Sequence, residues 1–253
     1  AVLGGIVLAL AAILFFKYSI EQGLIPPVVR FIIGVTIGVA AFGLSEWLYS
    51  RYETTANALA GGGAVVLYSA FWAAKALYNL IGLELAFGLM GLTTAACCVL
   101  AVRRGSKVIA ILGLVGGFAT PLALAGKSDN PIGLFGYLLL LDVGFLFVAL
   151  RRRWPVVAML SLVGTVLMQI GWMSSRMQPE SLWLGLGVLA IFAAVFAVMS
   201  ARAQQAQGQG EDRRIWMLTQ ASAILVPHAF AVGLAGSSRF GAHLYPLAIL
   251  VGI

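Results

Sequence analysis

PIGLFGYLLLLDVGFLFVALRRR, from Pro131 to Arg153, is a stretch with one acid, Asp142, among nineteen apolar, small or aromatic residues, closed by three consecutive arginines. At a rise of 1.5 Å per residue, twenty helical residues cover about 30 Å, the thickness of a bilayer's hydrocarbon core. The run is apolar on every side. A barrel strand would alternate apolar and polar residues, and a helix on a soluble core would show one polar face. Only a helix surrounded by lipid needs neither, because its backbone groups bond within the segment and its side chains face hydrocarbon. Arg151, Arg152 and Arg153 then mark the interface.

Similar runs lie on both sides of this one. The sequence predicts spans at 1–18, 28–49, 56–79, 82–102, 107–126, 131–150, 154–174, 182–201 and 215–236, with a tenth starting near His243. The chain has 253 residues, 61% hydrophobic and only 10% charged, with mean hydropathy +1.00. A soluble domain carries about 25% charged residues. The expected fold is therefore all-α: one polytopic transmembrane bundle of about nine or ten helices filling 1–253. A start at Ala1 and an end at Ile253 inside an apolar run read as a piece of a longer membrane protein. The first run lacks a basic leader and a small-residue cleavage site before Lys17, so it reads as a membrane helix and not a signal peptide.

The basic residues set an orientation. Arg51; Arg103, Arg104 and Lys107; Arg151 to Arg153; and Arg202, Arg213 and Arg214 follow even-numbered spans. Lys17, Arg30, Lys127, Arg176 and Arg239 follow odd-numbered ones. Ten against five places the even loops, and the start of the segment, on the cytoplasmic side. The net charge of +7 sits at span ends, so it offers no basic surface to nucleic acid. The expected partners are membrane lipids, with other envelope proteins or further copies of the chain as protein partners. Cys97 and Cys98 are adjacent within an apolar run and form no disulfide framework.

Arg103-Arg104 and Arg151-Arg152 lie 48 residues apart, and Val108, Ala110, Leu112, Leu114, Val115 and Gly116 recur in type as Val156, Ala158, Leu160, Leu162, Val163 and Gly164. The spacing suggests tandem helical hairpins. Gly34/Gly38 and Gly113/Gly117 form G-x-x-x-G pairs, and Gly61-Gly62-Gly63 lies within a third span. Such small residues let helix backbones approach in lipid, where apolar burial alone drives little association. Lys127 to Pro131 reads as a tight turn, and Ala203 to Arg214 as the longest polar loop. Pro121, in Gly116-Gly117-Phe118-Ala119-Thr120-Pro121, cannot donate to the carbonyl of Gly117 and frees it, which reads as a helix break; Pro227-His228 reads similarly.

Ionisable groups at membrane depth are costly and mark pairing or function. Asp142 follows Pro131 by eleven residues, roughly 16 Å along a helix, near the midplane. It is the first candidate for a proton or substrate pathway. Lys75 and Glu84 flank a short hairpin where they can pair, and Lys75 is also in reach as a partner of Asp142. Thr120 and Pro121 would line the outward mouth of a polar cavity, and His228 offers a mid-span imidazole for proton transfer or for an anion. No metal-ligand spacing, catalytic motif or cofactor fingerprint occurs, so no catalytic residue, metal or cofactor is expected, and an enzyme is the weaker reading.

Several features in order carry a resemblance: the Gly4-Gly5 helix ending Phe15-Phe16-Lys17-Tyr18, the Pro26-Pro27 to Arg30 turn, Gly43 to Glu46, Gly61-Gly62-Gly63 with Leu67-Tyr68, and Arg103-Arg104 through Thr120-Pro121. Together they resemble the DUF2339 family of predicted bacterial membrane proteins. The resemblance implies a long chain in the bacterial cytoplasmic membrane, often with a soluble N-terminal region, and implies no activity. Two functions fit: a transporter or flippase-like protein for an envelope precursor, lipid or small solute, or a non-catalytic scaffold or sensor organising envelope proteins. The first expects water to reach Asp142, and the second expects a dry interior with glycine faces used for packing.

Overall fold

The computed structural model describes residues 25–124, 131–176, 182–206 and 211–236. Its elements are eight α-helices: α1 (Pro27–Tyr49), α2 (Glu53–Ala76), α3 (Leu83–Arg104), α4 (Lys107–Leu124), α5 (Pro131–Arg152), α6 (Pro155–Arg176), α7 (Leu182–Ala206) and α8 (Glu211–Gly236). Among the described residues, seven helices, α1 to α7, are long and apolar enough to cross a membrane. The eighth, α8, covers the run expected at 215–236. The runs expected at 1–18 and from His243, and most of the turn at Lys127, lie outside the described residues. The chain divides into two compact units, up to Thr93 and from Thr94.

In the first unit α1 and α2 pack through glycine. A Cβ on Gly38 would lie 2.5 Å from Leu67 Cγ and 3.2 Å from the Gly63 carbonyl, and one on Gly63 would lie 3.0 Å from both Ala41 Cβ and the Gly38 carbonyl. The two backbones therefore meet where neither has a side chain. Gly62, between them in sequence, faces open space. The other face of α1, with Ile32, Ile33, Ile37 and Val39, is exposed, as suits a helix against acyl chains. At one end of the pair Arg30 Nη1 donates to the Tyr78 hydroxyl at 3.3 Å and lies over its ring.

The hairpin repeat is visible in the helix limits. Helices α3 and α5 are both 22 residues long, and their starts (83 and 131), their ends (104 and 152) and the starts of α4 and α6 (107 and 155) share one offset of 48. Both intervening turns use a left-handed residue at the same position, Gly105 (φ 68°) and Arg153 (φ 56°). The burial pattern also repeats. Ile109, Ala110, Gly113, Leu114 and Gly117 are buried, as are Val157, Ala158, Ser161, Leu162 and Thr165, whereas Val108, Ile111 and Val115 are exposed, as are Val156, Met159 and Val163. The junctions are tied: Arg152 Nε donates to the Val102 carbonyl at 2.6 Å and Nη2 to that of Arg103 at 3.1 Å, satisfying acceptors that the end of α3 leaves open.

Two sequence expectations are corrected. The loop expected over 203–214 is shorter, because α7 runs on to Ala206 and α8 starts at Glu211. Gln204 Nε2 donates to Gln220 Oε1 at 2.7 Å, which gives the polar end of α7 a partner. The helix breaks are also not breaks: α4 continues through Pro121 and α8 through Pro227.

Candidate functional site

Asp142 is fully buried on α5 and meets α6. Ser161 Oγ donates to its Oδ1 at 2.5 Å, and Thr165 Oγ1 to its Oδ2 at 2.6 Å. The two hydroxyls stand four residues apart, one above the other on one helix face. Both are buried, so carboxyl and hydroxyls are shut away from solvent. Among the described residues no cation joins them. Gln169, a further four residues along, is only 4% exposed, and its Nε2 has no hydrogen-bond partner. Gln169 stands on the same face of α6 as Ser161 and Thr165.

This choice of partner is specific. Thr93, Thr120 and Thr219 each donate to the carbonyl four residues earlier in their own helix. That is the ordinary resort of a hydroxyl in an apolar helix. Ser161 and Thr165 instead reach across to Asp142.

A second polar group surrounds Pro121. The carbonyl that proline frees, on Gly117, accepts a hydrogen bond from the Tyr137 hydroxyl of α5 at 3.0 Å. Thr94 and Thr120 lie beside that hydroxyl. Proline is tolerated here because a neighbouring helix satisfies the orphaned acceptor. Replacing Tyr137 with Phe is expected to cost about 1–2 kcal/mol by leaving that acceptor unsatisfied. In a Pro121→Ala background the new N–H takes the Gly117 carbonyl, so the same change should cost less; thermal unfolding of the two singles and the double checks this.

The remaining sequence candidates are dispersed. Thr120 and Pro121 are buried beside this cluster, with the helices closed about them. Lys75 donates to Asn79 Oδ1 at 2.8 Å on its own helix end, and Glu84 is exposed, so the two do not pair. Asp142 has its two hydroxyls as partners, and Lys75 has Asn79. His228 is exposed on α8, its Nδ1 2.7 Å from the Ile224 carbonyl of the same helix. Reading the sequence missed Ser161, Thr165, Gln169 and Tyr137. The signal for the first three was present as a polar stripe at intervals of four in an otherwise apolar run.

The hairpin repeat sharpens the site. The positions of Asp142, Ser161 and Thr165 correspond, at the offset of 48, to Thr94, Gly113 and Gly117 in the preceding hairpin. There a Cβ on Gly117 would lie 3.3 Å from Thr94 Cγ2, and one on Gly113 would lie 2.7 Å from Cys97 Cβ. The same layer is thus built once by close backbone approach and once by a carboxyl held between hydroxyls.

No curated protein and no solved structure matches the chain. A model of the DUF2339 family, described as predicted membrane proteins, matches residues 1–252. With its apolar spans and essentially its whole length inside that match, the chain belongs to the DUF2339 family of predicted membrane proteins.

Proposed function

We propose that this region is the membrane part of a transporter or flippase-like protein, with Asp142 at the centre of its pathway. The supporting observation is a mid-span carboxyl held by hydroxyls, without a cation among the described residues. An ionised group in that setting is expensive. The neighbouring hairpin builds the same layer with Thr94, Gly113 and Gly117, so packing there does not require an acid. In the proposed orientation the arginine-rich turns at 103–107 and 151–153 face the cytoplasm. The region acts as one membrane domain whose substrate is an envelope precursor, lipid or small solute.

The scaffold reading has its own support: Asp142 is sealed, and glycine faces are spent on helix packing. The two readings differ over whether water ever reaches the site. With Cys97 and Cys98 replaced by Ala, a Ser161→Cys variant is treated in membranes with a membrane-impermeant maleimide. Thiols react as thiolates, which need water. Transport expects labelling, slower than at a control Cys replacing the exposed Ser175 by about 10- to 1000-fold. Complete protection of the Cys at position 161, with Ser175→Cys labelled, would remove the transport reading and leave the scaffold.

A further inference from the structure

We propose that Asp142, Ser161, Thr165 and Gln169 form a binding site for one dehydrated Na+ ion. The proposal names the coupling ion for the site described above, but its binding test does not require transport.

The donor set is made of hard oxygens. Two carboxylate oxygens and two hydroxyl oxygens already lie in one buried layer, with contacts of 2.5 and 2.6 Å between them. Each hydroxyl keeps acceptor lone pairs. Turning its hydrogen to the carbonyl four residues earlier, as Thr93, Thr120 and Thr219 do, converts the same oxygen into a ligand. Gln169 supplies an amide carbonyl on the same face. Its Nε2 is buried without a hydrogen-bond partner, so the amide is not committed elsewhere and can turn its carbonyl oxygen to the layer. Oxygen donors of this type suit alkali and alkaline-earth ions and not softer metals.

Charge selects the valence. One carboxylate and no other ionised group among its partners is neutralised by a single positive charge. A divalent ion would leave a net charge in the low-dielectric interior. A proton would neutralise the acid equally, but needs neither the second hydroxyl nor the amide. At the corresponding positions the sibling hairpin carries Thr94, Gly113 and Gly117, so it lacks the acid and both of its hydroxyl partners at once.

The test uses the full chain in lipid nanodiscs, with thermal unfolding followed by tryptophan fluorescence. NaCl is exchanged for choline chloride at constant ionic strength, with KCl and CaCl2 as further arms. The midpoint is expected to rise saturably with Na+, and at least about tenfold more K+ should be needed for the same rise. Asp142→Asn should weaken apparent Na+ affinity about 100-fold or more, and Thr165→Val or Gln169→Leu about tenfold each. A midpoint indifferent to Na+, or one that follows pH alone, overturns the proposal. So does an equal response to K+ or Ca2+, or a Na+ response that survives in Thr165→Val and Gln169→Leu; those two variants decide the matter even if Asp142→Asn does not fold. Na+ binding combined with a never-labelled Cys at position 161 would keep the site and dismiss transport.

Discussion

Removing both hydroxyls from Asp142, in the double variant Ser161→Ala/Thr165→Val, is expected to destabilise the second unit more than removing the carboxyl itself. Hydrogen bonds to a charged group contribute about 1.5–3 kcal/mol each, and interhelical bonds in membranes average less. The double variant should therefore lose about 2–4 kcal/mol. Asp142→Asn should lose only about 1 kcal/mol, because Ser161 and Thr165 can return to carbonyls on their own helix. The triple variant Asp142→Leu/Ser161→Ala/Thr165→Val should recover most of the loss, since an apolar layer of similar volume leaves nothing unsatisfied. Reversible unfolding in mixed micelles measures all three. A double variant no less stable than Asp142→Asn would show that the two hydrogen bonds contribute nothing.

The second large effect concerns the glycines of α4. A Cβ at Gly113 would sit 2.7 Å from Cys97 Cβ, an atom fixed by its own backbone. A Cβ at Gly117 would sit 2.5 Å from Leu141 Cδ1, the end of a side chain that can rotate away. The shorter distance is thus the cheaper clash. Gly113→Leu should cost more than about 3 kcal/mol, forcing α3 and α4 apart. Gly117→Ala should be close to neutral, with about 1 kcal/mol of helix propensity offsetting the rearrangement of Leu141. Yield and melting temperature of the purified variants check the order. Equal costs would mean that the helices are not held at this separation.

The sequence displayed the architecture because lipid imposes a simple rule. Runs such as 131–150 must be apolar all round, and the structure places α5 at Pro131–Arg152. Prolines at the start of α5 and α6, and arginines at the ends of α3 and α5, bracket helices to within a few residues. The chemistry of proline likewise pointed to the Gly117 carbonyl, although not to Tyr137, which bonds it from 20 residues away. Asp142 stood out by its charge. Its partners did not, since Ser161 and Thr165 are ordinary in membrane helices, and only the rotation of α6 against α5 decides which faces meet. For Lys75 and Glu84 sequence nearness left pairing open, and the turn after α2 supplies Lys75 with an acceptor in Asn79. The extra turn of α7 escaped notice because Gln204 looks like a loop residue until it is seen bonded to Gln220 of α8.

The knot at Arg152 has a mechanical consequence. Its guanidinium holds the end of α3, a two-residue turn leads from α5 into α6, and another leads from α3 into α4. Four helices are thereby fastened at one rim, like the riveted end of a pair of tongs. Any splaying must grow with distance from that rivet, so a fissure reaching Asp142 would start from the opposite rim, where Pro131 begins α5, and close back toward the arginines.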